Sequence, residues 1–166
     1  FGRTGLDDET IRALNPEVII VHTSLLSTGS PLSPLAGYGY HAAAIAGFYE
    51  VFGWSDLPPG GPYLAYTDTI SPRFLAPAVL AAVDRLERTG RGCTIDAAQL
   101  ECGLQLLAPE LLAYQISGEK PMRSGNRDPQ NIPQGVYPVL GEDRWIAISI
   151  EDDANWSDLC LSLIHI

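Results

Sequence analysis

The sequence predicts an α/β fold through residue 118, followed by the start of a smaller α+β unit, on three observations. "DDETIRALNP" has acids where a helix begins and Asn15-Pro16 where it must stop, and "EVIIVHTS" follows at once with a β-branched apolar run. A helix followed by such a strand points to layers of helices and sheet. After Gly118 the composition turns polar and rich in Gly and Pro, and a hairpin pattern then replaces the helical one.

The elements follow in chain order. A first helix spans the "DDETIRAL" stretch, and Val18–Val21 are the unbroken apolar run, suited to cover on both faces, of a strand that ends near Ser24. "LLSTGSPLSPLAGYG" is an aperiodic loop at the strand's C-terminal end, where α/β folds build ligand sites. "YHAAAIAGFYEVFG" is a helix of mostly small residues, and "SDLPPGGP" is a turn. Ser71-Pro72 has the form of an N-cap and first-turn proline, so a helix is placed from there to Gly90, bent near Pro77. A short strand follows between Gly92 and Ala97, then one long apolar helix with Pro109 inside it. Residues 119–134 form a linker or active-site loop. "VYPVL", the turn "GED" and "RWIAISI" form an antiparallel hairpin in a unit spanning 135–166, with a last helix beginning near Asn155.

Composition excludes several classes of function. An apolar fraction of 46% excludes wholesale disorder, and 20 acids against 10 bases, without a basic cluster, argue against nucleic acid as a partner. The 3 cysteines, Cys93, Cys102 and Cys160, have no zinc-ligand spacing and read as apolar fillers in a reducing compartment, so no metal site is expected. No run of about 18 apolar residues calls for a membrane span, and a soluble cytoplasmic protein is the default. Both ends look cut, and the last six residues look foreign to the rest.

"GYGYHA" matches a G-x-G-x-x-A dinucleotide fingerprint, but no strand runs directly into it, so its glycines are assigned to the turn into a helix. His22, at a strand end, reads as a satisfied core histidine. Asp68, in "YLAYTDTISPRFL", is the odd acid: local sequence alone reads it as a turn or capping residue ahead of the Ser71 helix.

"RTGRGCTIDAAQLE" with "NPEVIIVHTS", "STGSP", "AGYG", the Asp68 segment and "RSGN" form one ordered set. That order resembles the family III CoA-transferases, the group that includes formyl-CoA and carnitine CoA-transferases and the α-methylacyl-CoA racemases. The resemblance runs from about Arg3 to Leu159. It implies a Rossmann-like large domain, a smaller domain and an interlocked homodimer, of which this chain is a fragment that is inactive by itself. Asp68 then stands at the catalytic aspartate, which carries coenzyme A between a donor acyl-CoA and an acceptor carboxylic acid through anhydride and thioester intermediates. The helix beginning near Ser71 would offer its N–H groups to that carboxylate. CoA thioester is substrate, and no tightly bound cofactor is implied.

Tyr38, thirty residues before Asp68, takes the place where transferases line the CoA pocket and racemases carry a histidine. A phenol with an ordinary pKa of about 10 is a poor acid/base at neutral pH, which favours transfer over racemisation. Gly125 and Asn126 of "SGNRDPQ" resemble the transferase loop that closes over the intermediate, although Arg127-Asp128-Pro129 replaces a longer glycine run. A racemase using His41, and a non-catalytic acyl-CoA-binding subunit, stand as the alternatives.

Overall fold

The structure, a computed structural model, describes residues 4–128 and 131–164. Helix α1 spans Asp8–Leu14, and its N-cap Asp7 accepts from the Thr10 N–H at 2.8 Å. That contact holds the Asp7 carboxyl below its ordinary value. Strand β1 (Ile19–Ser24) pairs in parallel with β2 (Cys93–Ala98), in register from Ile19 opposite Cys93 to Ser24 opposite Ala98. Between them come α2 (Gly39–Ala46), the one-turn α3 (Phe48–Val51) and the long α4 (Tyr66–Thr89). After β2 come α5 (Gln99–Leu106) and α6 (Ala108–Ser117), then the antiparallel hairpin of β3 (Gln134–Pro138) and β4 (Trp145–Ser149), and α7 (Asp153–Ile164). The fold is α/β, with one parallel and one antiparallel strand pair among the described residues.

Four expectations need correction. Helix α4 begins at Tyr66 rather than Ser71, so Asp68 lies inside its first turn. The small-residue helix is two elements, because Gly47 at φ 102° ends α2 and α3 restarts beyond it. The long apolar helix is also two, since Pro109 has no N–H to return to Gln105 and instead occupies the first turn of α6. The cover expected on both faces of β1 is also incomplete. Val21 is 37% exposed, because among the described residues the pair carries no third strand.

The polar face of the β1–β2 pair is closed by local contacts. His22 Nε2 meets both oxygens of Asp8 at 2.9 Å, and the Arg12 guanidinium donates to the Thr94 hydroxyl, so α1 is clipped to both strands. His22 is thus half-buried and partnered by a carboxylate. Gly92 explains part of the "RTGRG" motif: a Cβ there would come within 1.9 Å of the Val18 carbonyl oxygen. Arg85, on α4, donates to the Arg91 and Gly92 carbonyls at 3.0 and 2.8 Å, fixing the turn that enters β2.

Asp96 anchors the loop after β1, accepting from the Ser27 and Thr28 hydroxyls and from the Thr28 N–H at 2.9 Å. The Thr28 hydroxyl is the main cause that holds this carboxyl below its ordinary 3.8. A lowered pKa in the folded state means the anchor is at full strength above 3.8 and is lost as pH falls through the lowered value. In the intact protein, Asp96→Asn is expected to speed amide exchange at Thr28 about tenfold at neutral pH, as loss of one charge-assisted bond predicts. Exchange monitored by NMR tests this, and an unchanged Thr28 rate would refute it.

The core lies where α2, α4 and α5 meet. Ala43 and Ala46 of α2 are buried with Phe48 and Leu107, Ala42 is buried with Leu25 and Leu26, and the Phe48 ring packs edge-on to Tyr66 at 5.3 Å. Full burial of a side chain of this size contributes about 1.5–3 kcal/mol. The small residues let the three helices approach closely, and their N-termini converge as a result.

Candidate active site

Helix α4 starts without a local signal. Its N-cap is Ala65, which has no side-chain acceptor, and Leu64 before it has a positive φ of 61°. Tertiary packing holds the first turn instead, with Thr67 and Ile70 both buried. Ser71, expected as the cap, is buried inside the helix and donates its hydroxyl to the Thr67 carbonyl at 2.6 Å. Pro72 lacks the N–H that would otherwise return to the Asp68 carbonyl.

Asp68 therefore points from the third position of a helix, where its charge complements the macrodipole. The free N–H groups expected from a Ser71 helix do not hold it. The Gly39 N–H, at the first residue of α2, donates to Oδ2 at 3.0 Å, and the Gln99 side-chain amide, at the first residue of α5, donates to Oδ1. Three helix starts thus meet at one carboxylate. Asp68 remains exposed, and among the described residues no cation pairs with it.

Gly39 allows this approach. A Cβ there would lie 2.7 Å from Asp68 Oδ2, 2.9 Å from the Asp68 nitrogen and 3.0 Å from the Ala65 carbonyl carbon. Thr67, fully buried, places its hydroxyl 2.9 Å from the Gly39 carbonyl and 3.0 Å from Gln99 Oε1. The second glycine of "GYGYHA" is a contact residue for a carboxylate, a role distinct from nucleotide recognition.

Tyr38 is the N-cap of α2, next to the amide that binds Asp68, and its side chain is 73% exposed. Its N–H donates to His41 Nδ1 at 3.0 Å, so His41 serves the first turn of α2 and its Nδ1 is an acceptor already in use. Gly125 and Asn126 are elsewhere. The Gly125 N–H donates to the Gly53 carbonyl at 2.8 Å, and Arg123 binds the Tyr49 and Trp54 carbonyls. The Gly125–Asn126 turn faces a cleft shared with Gly135, Val136 and Ile148 of the hairpin. None of its described contacts reaches Asp68.

Sequence reasoning brought Asp68 and Tyr38 to one place but missed Gln99 and Thr67. Gln99 offered no signal beyond being polar at a helix start, and Thr67 looked like a neighbour of Asp68 rather than its support. No cluster of three His, Cys, Asp or Glu side chains suited to a metal occurs among the described residues. No helix among them is long and apolar enough to cross a membrane.

A family model described as CoA-transferase family III matches residues 1–164. The chain is similar to the succinate–glutarate CoA-transferase of Agrobacterium fabrum, 31% identical over 160 residues, covering 96% of this chain and 40% of that protein. It is 32% identical over 154 residues to the L-carnitine CoA-transferase of Proteus mirabilis, covering 90% of this chain and 37% of that one. Among solved structures it is similar to a CAIB/BAIF family protein from Brucella suis, with a TM-score of 0.85 and 28% identity, over 98% of this chain and 42% of that one. The chain spans about two fifths of the length of the curated relatives it matches.

Proposed function

The chain belongs to CoA-transferase family III, and from that premise we propose that it carries the reacting carboxylate, Asp68, of an enzyme that moves coenzyme A between carboxylic acids. One observation carries the assignment: Asp68 is exposed, and each of its oxygens is held by an uncharged N–H donor. Asp96 also meets uncharged donors, but all of them reach one oxygen and tie down a loop, whereas at Asp68 both oxygens are held, by the first residues of two other helices. Neutral donors orient the group and leave its charge available for attack.

The chemistry needs such a group. Asp68 attacks the thioester carbonyl of the donor acyl-CoA, the C–S bond breaks, and an aspartyl acyl anhydride forms with CoA thiolate released. The thiolate attacks the aspartyl carbonyl, the bond from the aspartyl carbon to the bridging oxygen breaks, and the donor acid leaves with that oxygen, giving an aspartyl-CoA thioester. The acceptor carboxylate then attacks that thioester and displaces the thiolate. Thiolate attack on the acceptor-derived acyl carbonyl of the new anhydride finally frees Asp68 and the product thioester. Water must be kept out, because it would hydrolyse each intermediate.

Succinate, glutarate and L-carnitine, the acids in the two relatives' names, are all carboxylic acids, and that class is what carries over. Tyr38, exposed beside the Gly39 amide, is assigned to the CoA pocket. Gly125 and Asn126 are assigned to a loop that meets CoA ester, on the family resemblance of "RSGN". The engagement of His41 Nδ1 by the Tyr38 N–H favours transfer over racemisation, which needs a free second base. An interlocked homodimer in the cytoplasm completes the proposal, and the three free cysteines suit that reducing setting.

The test incubates the intact protein with acyl-CoA and hydroxylamine, then maps modified peptides by mass. A hydroxamate on Asp68 is the expected result. An unmodified Asp68 in protein that still exchanges CoA would overturn the assignment.

A further inference from the structure

Resting on that reading of Asp68, we infer that Gln99 is a further residue of the reaction. Its side-chain amide is the donor for the charge that develops on Asp68 Oδ1, and Thr67 is the positioning residue that orients it. Gln99 is 31 residues away in sequence and reaches Asp68 only because α5 starts against α4.

The orientation follows from donor and acceptor chemistry. An ionised carboxylate only accepts, so the amide must present its NH₂ to Oδ1. The opposite amide end, Oε1, lies 3.0 Å from the fully buried Thr67 hydroxyl, which has one proton to donate. A flipped amide would set two acceptors against each other at Asp68. Thr67 also reaches the Gly39 carbonyl at 2.9 Å, so one buried hydroxyl contacts both groups that supply a donor to the carboxylate. The one hydroxyl proton is shared between these two acceptors, and the share given to Oε1 polarises the amide and strengthens its N–H as a donor.

That strengthened donor is placed where charge grows. In the anhydride, one aspartyl oxygen bridges to the acyl group and the other is the aspartyl carbonyl. When the CoA thiolate adds to the side-chain carbonyl carbon, the carbonyl electron pair moves onto that second oxygen. It returns as the C–O bond to the departing acid breaks. The inference assigns Oδ2 to the attack and Oδ1, under Gln99, to the oxyanion.

The test uses the intact protein. Gln99→Ala is expected to lower kcat for exchange about 10²-fold, the usual loss for one oxyanion donor, with KM for both substrates within about twofold. Gln99→Glu, which is nearly isosteric, sets a second carboxylate against Asp68. Like charges then raise the apparent pKa of the pair, so the acidic limb of the kcat profile moves to higher pH. That shift reports that position 99 faces Asp68, and the loss of kcat in Gln99→Ala at unchanged KM is the readout that a merely structural residue would not give. Thr67→Val is expected to cost about tenfold in kcat, as loss of the orienting hydrogen bond predicts. If Gln99→Ala and Gln99→Glu both exchange CoA within about threefold of the parent, with an unshifted profile, the inference is overturned. A hydroxamate on Asp68 in the same experiment leaves the reading of Asp68 standing, and its absence from active parent overturns both.

Discussion

Asp68→Asn in the intact protein is expected to lower the rate of CoA exchange by at least ~10³-fold, the scale on which enzymes lose activity when a covalent nucleophile is removed. The amide is the size of the carboxylate, and its oxygen can still accept from the Gly39 N–H. It supplies no charged oxygen to attack a thioester, and no anhydride can form on it. The new NH₂ faces the Gln99 NH₂, donor against donor, until the Gln99 amide turns over, when Thr67 accepts from that NH₂ and donates to the Gly39 carbonyl. Because the side chain is exposed, the thermal midpoint should hardly change, a cost within about 1 kcal/mol. Exchange followed by chromatography of the two CoA esters measures the first effect, and thermal melting the second. Substantial exchange by a folded Asp68→Asn protein would remove Asp68 from the chemistry.

Gly39→Ala is expected to damage both activity and stability, although it adds a single methyl. The added carbon would lie 2.7 Å from Asp68 Oδ2 and 3.0 Å from the backbone of Ala65, and the backbone contact cannot yield by a rotamer change. The N-terminus of α2 must therefore withdraw from α4. Overpacking of this kind costs about 1–3 kcal/mol. Withdrawal also loosens the N–H bond on Oδ2, and displacement of a reacting group by about 1 Å can cost 10²-fold in rate. Denaturant unfolding and exchange kinetics on the same preparation separate the two effects. Wild-type stability and rate together would show that the approach of α2 to Asp68 is dispensable.

Much of the candidate site was legible because some signals are local. Acids before an apolar helix, Asn-Pro at its end and the β-branched run of Ile19–Val21 place α1 and β1 within a residue or two. The spacing of "RTGRG" carries β2, since the turn into it is made by adjacent residues. The start of α4 was not legible. Ser71-Pro72 has the form of a helix start, whereas Tyr66 follows an uncapped alanine and is held by contacts with Phe48 and the helices around it. Propensity is a weak prior, and here burial of Thr67 and Ile70 overrides it. The breaks at Gly47 and before Pro109 had visible causes, but periodicity across them concealed where the helices restart.

By itself the sequence determined the α/β class, the family resemblance and the choice of Asp68 with Tyr38 beside it, because ordered motifs and their spacing are properties of the chain. Only the tertiary structure decided what holds the carboxylate. Gly39, Asp68 and Gln99 begin or lie within the first turns of three different helices, and the small residues of α2 with Gly103 of α5 let those helices close on one another. An amide and a carboxylate 31 residues apart share no local pattern. Their meeting depends on packing, and packing depends on every helix that surrounds them.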